Sequence, residues 1–229
     1  MLPSNSRGIG IRFIITIALI LRLAGVAYAD GKIPRQRIGS PADEDYALLA
    51  RTLHQRGWNF DQIFAASCQR ALTNALIAGK QPIQDQVRAV FGGLWLWSRR
   101  GGAPALQGQN DKALHFIGGG VFEGYWDMGR RAAVTKERID SKDLDNFWDF
   151  DDLAATIMGA RWMDVALDGD ADHTRRWIEL WASSRYTLSR SLPQLKFGHM
   201  RPGQRASPEQ VEAIDRQITA ALVFPATDK

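Results

Sequence analysis

Apolar side chains recur at helical spacing along most of this chain, and no period-two alternation bounded by turn residues persists for long. Tyr46, Leu49, Ala50 and Leu53 form one such stripe. It follows Ser40-Pro41-Ala42-Asp43: a serine to accept a first-turn N–H, a proline at the first helical position and an acid in the first turn. Gly57 closes this helix. The same start recurs in Ser207-Pro208-Glu209-Gln210, with Val211, Ile214, Ile218 and Leu222 as the stripe. Between them the pattern predicts helices over 59–78, 82–98, 111–127, 150–167 and 173–190, with loops at 101–110, 140–148 and 191–206, where Gly, Pro and charge collect. The expectation is an all-α chain with a single compact domain of six to eight helices over 30–229. Its parts are N-terminal helices over 30–100, a core over 111–167 and C-terminal helices over 173–229.

The first 29 residues have a different layout. Arg7 and Arg12 precede an apolar run from Phe13 to Leu21, and Ala27-Tyr28-Ala29 stands before Asp30. Basic, apolar, then A-x-A is the order of a secretory signal peptide. Arg22 shortens the apolar stretch below the ~20 residues a spanning helix needs. The expectation is cleavage near Ala29 and a periplasmic or secreted product, with an inner-membrane anchor through an uncleaved N-terminus as the alternative. Val26 stands where a lipidated cysteine would be, so no lipid anchor is expected.

Charge changes the picture of partners. The formal net charge is +4, and loss of 1–29 would reduce it to +1. That leaves little basic excess for phosphate neutralisation, so nucleic acid is not an expected partner. Residues 137–172 hold eleven acids against three basic residues, and 173–205 hold seven basic residues against one acid. The two stretches either neutralise each other or build an acidic pocket for a cation. A lone cysteine, Cys68, forms no intramolecular disulfide, so stability must come from packing. It falls on the stripe of Phe64, Ala71 and Ala75, a buried packing position.

Candidate chemistry centres on Asp111-Lys112-Ala113-Leu114-His115-Phe116. Asp111 and His115 are one helical turn apart, and Asp111 is placed to cap the helix start. Gly118-Gly119-Gly120 and Gly124 follow, at about 1 kcal/mol each relative to alanine in a helix interior. Close approach of another helix would offset that, and Gly120-x-x-x-Gly124 has suitable spacing. The expected partner stripe is Asp152, Thr156, Gly159 and Met163, with Asp149 as a helix cap. Lys136 and Asp140 are four apart and would pair locally, leaving Glu137 without an evident partner. His115, Glu137 and Asp152 are therefore the catalytic or ligating candidates, with Asp111, Lys112 and Asp140 around them as binding candidates. A divalent metal is a possible cofactor.

The order D-K-x-x-H-F, a Gly-rich helix, K-E-x-x-D, then F-x-D-L-x-A-x-x-x-G-A resembles the YfiM-type family of bacterial envelope lipoproteins. The D-K-x-x-H-F opening is more loosely similar to VanZ-like membrane proteins. Matching positions are Asp111, Lys112, His115 and Phe116; Lys136, Glu137 and Asp140; Asp152, Leu153, Ala154, Gly159 and Ala160. The resemblance implies a helical fold and an envelope location. It implies no activity, so whether the chain is an enzyme stays open. The expected function is an exported cell-envelope protein, a non-catalytic structural or interaction module around a polar His/Glu/Asp cluster. The alternative is a metal-dependent hydrolase of an envelope substrate.

Other patterns carry less. Asp168, Asp170, Asp172 and Glu179 have the acid spacing of a calcium loop, but His173 replaces the required glycine and Arg175 and Arg176 lie inside it. Asp172 as the cap of the next helix accounts for most of the pattern. Eight tryptophans either pack the core or, around Phe91 to Arg100, lie at a membrane surface. An envelope protein or a membrane surface is the expected partner.

Overall fold

The computed structural model describes residues 37–77, 82–102, 105–106, 110–140, 148–183, 187–191, 198, 200–201 and 204–222. The expected signal peptide and its cleavage site lie outside these residues. The chain is all-α: helices α1 (Pro41–Gln55), α2 (Phe60–Leu76), α3 (Ile83–Arg99), α4 (Asn110–Trp126), α5 (Gly129–Asp140), α6 (Phe150–Leu167), α7 (Ala171–Ala182), the four-residue α8 (Leu188–Ser191) and α9 (Pro208–Ala221). No strand occurs among the described residues. None of their helices is long and apolar enough to cross a membrane.

Both serine-proline starts form as expected. Ser40 accepts the Asp43 N–H while the Asp43 carboxylate reaches back to the cap, and Ser207 and Gln210 do the same for α9. Asp149 caps α6, accepting from the N–H groups of Asp151 and Asp152. Three expectations need correction. α5 was not foreseen as a helix. α7 is capped by Asp170, whose carboxylate takes the His173 N–H at 2.8 Å, and not by Asp172; it ends at Ala182, well short of 190. α4 begins at Asn110, so Asp111 sits inside the first turn, exposed, and accepts the adjacent Lys112 N–H at 2.9 Å.

Helices α4 and α6 share the largest interface. A Cβ on Gly119 would fall on the Thr156 carbonyl oxygen, and one on Gly159 on that of Phe116. The backbones therefore touch with no side chain between them. The expected stripe of Asp152, Thr156, Gly159 and Met163 does face α4, but Gly119 is the glycine that meets it at close quarters. Gly119 lies one turn after His115 on the same face, whereas Gly120 is rotated about 100° and lies against the Phe91 ring of α3.

The remaining core is aromatic. Phe60, Phe64, Phe91, Phe116, Trp162, Trp177 and Trp181 pack mostly edge-to-face or tilted, with Phe64 and Trp162 centroids 5.1 Å apart. Phe91, Gly92, Gly93, Leu94 and Trp97 are buried, so most of that tryptophan-rich segment belongs to the core. Trp95 is half-buried, with the Arg99 guanidinium 5.9 Å from its ring. Cys68 is fully buried, and desolvation pushes its thiol far up.

Candidate functional site

Three helices deliver one charged centre. α4 supplies Lys112 and His115, α5 supplies Lys136 and Glu137, and α6 supplies Asp151, Asp152 and Thr156. One ligand atom each from His115, Glu137 and Asp152 lie within 4.8 Å of one another. Side-chain exposure falls from 19% at Asp152 to 7% at His115 and 2% at Glu137.

The α4–α6 glycine contact sets the first pair. His115 Nε2 stands 3.1 Å from Asp152 Oδ2, and its Nδ1 stands 3.0 Å from Thr156 Oγ1. Thr156 donates its hydroxyl proton to the Asp152 carbonyl oxygen, one turn back at 2.9 Å. Its lone pair then receives Nδ1–H, which places the other ring nitrogen, Nε2, against a carboxylate. A proton on Nε2 or a cation between the two atoms makes that approach favourable.

Helix α5 closes the centre. Lys136 Nζ lies 2.8 Å from Glu137 Oε1 and 3.9 Å from Asp152 Oδ2. The lysine thus serves Glu137; the Asp140 side chain, its expected partner, lies outside the described residues. Glu137 Oε2 also accepts the Asp149 N–H at 3.2 Å, tying α5 to the start of α6. Lys112, only 4% exposed, places Nζ 3.6 Å from Asp151 Oδ2.

The two carboxylates are pushed in opposite directions. Burial raises Glu137, and the opposing pull of Lys136 and His115 does not overcome it. Burial also acts upward on Asp152, but His115, Lys136 and Lys112 together hold that carboxyl below its ordinary value. Asp149 is raised, first by burial and then by Asp152. The centre thus holds one acid firmly ionised beside one that takes up a proton more readily than usual.

Of the residues expected from sequence, His115, Glu137, Asp152 and Lys112 converge, whereas Asp111 points to solvent. Asp151 and the bridging role of Thr156 were missed. The expected stripe puts Thr156 on a packing face, and a threonine one turn after an acid on a helix is the pattern that points to its role. Comparison with protein-family models, with curated proteins and with solved structures returns no match for this chain.

Proposed function

We propose that this chain is an exported protein of the bacterial cell envelope that acts without catalysis, as a structural or interaction module. On this reading the His115, Glu137 and Asp152 centre is the polar lock of its helix packing. The observation that carries it is internal neutralisation: Lys136 lies on Glu137 at 2.8 Å and Lys112 near Asp151 at 3.6 Å, with Glu137 2% exposed. Acids matched by lysines, with Glu137 and Lys112 buried and Lys136 and Asp151 largely covered, fix register between helices and leave little charge for a substrate. The basic, apolar, A-x-A order of residues 1–29 and the likeness of residues 111–160 to envelope proteins support export.

A second reading, a metal-dependent hydrolase of an envelope substrate, is favoured by one observation. An imidazole and two carboxylates offer ligand atoms within 4.8 Å, with Nε2 aimed at a carboxylate oxygen.

Elemental analysis of the purified protein, wild type against His115→Ala, together with melts in chelator, separates the two. Under the proposal no metal is stoichiometric, chelator leaves the melting temperature alone, and His115→Ala only melts earlier. Stoichiometric zinc or manganese that disappears in His115→Ala would sink it and install the hydrolase reading. Export is checked by fractionating cells and sequencing the N-terminus, which should start at Asp30.

A further inference from the structure

The face of α5 turned away from Ala133 and Glu137 lines a groove of about 940 Å³ between α5, α6 and the start of α9. That volume suits a small molecule. Its wall carries five arginines, Arg130, Arg131, Arg138, Arg161 and Arg205, against three acids, Glu123, Asp127 and Asp164. Met128, Val134, Trp148 and Val211 supply apolar surface. None of His115, Glu137 or Asp152 contributes to it.

Most of the acid is already engaged. Asp164 takes Arg161 at 3.0 Å, and Arg161 also forks onto Asp215 of α9 at 2.8 and 2.9 Å, with Arg130 3.1 Å from the same carboxylate. Glu123 accepts the Gly129 N–H at 2.9 Å and hydrogen-bonds Asp127. Arg131 and Arg205 form no ion pair among the described residues, so the groove holds surplus guanidinium beside apolar wall. Its geometry also carries strain. Asp127 is the one described non-glycine residue with positive φ, at 54°, in the position after a helix where glycine normally sits. Met128 N–H bonds back to Phe122 O at 3.1 Å, as that termination requires. An aspartate kept there against its conformational preference sets a carboxylate on Glu123 at the rim of a cavity.

We propose that this groove binds a phosphate-bearing molecule with an apolar remainder, its phosphate held by Arg131 and Arg205 and its remainder on Met128 and Val134. Planar guanidinium groups suit phosphate oxygens in paired hydrogen bonds. Glu123 tunes the site. Burial, the bond from Asp127 and the nearby Asp127 and Asp164 charges raise its carboxyl to about 7, against the Gly129 amide. Arg130 and Arg131 on α5 and Arg161 on α6 line the same groove. As pH rises through 7 the wall gains a negative charge, and anion affinity falls.

The test uses phenyl phosphate by titration calorimetry and phosphatidylcholine vesicles with and without phosphatidic acid by flotation. The wild type is compared with Arg131→Gln/Arg205→Gln, both exposed positions, and with Glu123→Gln. We expect saturable phenyl phosphate binding that weakens at least tenfold in the double variant. Glu123→Gln should bind several-fold tighter than wild type at pH 8 and equally at pH 6, a comparison at fixed ligand charge. Flotation with phosphatidic acid that the double variant loses, without phenyl phosphate binding, supports the same chemistry with a lipid headgroup as its source. Binding of neither probe, or binding unchanged in the double variant, overturns the proposal. Because the arginines lie outside the His115 centre, either result is independent of that centre's role.

Discussion

Thr156 decides what the His115 ring can do. Its hydroxyl proton goes to Asp152 O, so its oxygen is the acceptor that holds Nδ1–H. Thr156→Val leaves a buried ring donor unsatisfied and should lower unfolding free energy in urea by about 1–3 kcal/mol, whereas Thr156→Ser should keep most of it. Lys136→Met strands Glu137 as an uncompensated buried acid, a loss of about 3–5 kcal/mol. Adding Glu137→Gln to that variant should recover much of the loss; no recovery would mean that the ion pair is not what the lysine contributes. Asp152, held low, contributes stability above its unfolded value, and this is lost as pH falls through its folded value. At this scale the sequence was informative in part: His115, Glu137 and Asp152 come together, although Asp111, the acid one turn before His115, stays in solvent and Glu137, expected without a partner, takes Lys136. The reach of Lys136 to both Glu137 and Asp152 was not legible, because no spacing along the chain says that α5 packs beside α6.

Among the helices, α4 and α6 are held by backbone contact, and that makes their glycines unequal. Gly119→Ala places a methyl on a carbonyl oxygen; overpacking costs about 1–3 kcal/mol, and with two rigid backbones we expect the upper end or failure to fold. Gly124→Ala meets only the flexible end of Met163 at 3.0 Å and should be tolerated. Thermal melts of the pair check this, and equal losses would refute the backbone-contact account. Asp127→Gly relieves the left-handed turn and should raise stability by about 1 kcal/mol. Helices with capping boxes and clean stripes, α1 and α9, were legible from sequence. α5 was not, since it opens with Gly129-Arg130-Arg131 and its inward face includes charged Glu137 beside Ala132 and Ala133, which hides the apolar period. The glycine pairing slipped by one residue because spacing alone does not say which neighbour a face meets.

For the molecule as a whole, pH acts through buried acids. Glu123 has a folded value of about 7 against an ordinary 4.5. Its contribution is therefore full below about 4.5 and is lost as pH rises through about 7. Glu137 is raised as well and adds to the same slope. Melting temperatures of Glu123→Gln between pH 4.5 and 8 should fall less steeply than those of wild type; parallel curves would remove Glu123 from the account. Composition and periodicity were enough for an all-α chain with aromatic packing. The arginine groove escaped because its wall comes from residues near 123–138, 148, 161 and 205, and nothing along the chain joins them. One helix, α5, stands between that groove and the His115 centre, as a party wall stands between two rooms. Ala133 and Glu137 face one room, and Arg131, Val134, Thr135 and Arg138 the other. A helix turns about 100° per residue, so a single insertion or deletion within α5 would swing acids toward the groove and arginines toward the core. Point changes can damage the two rooms separately; a change in the length of their common wall damages both at once.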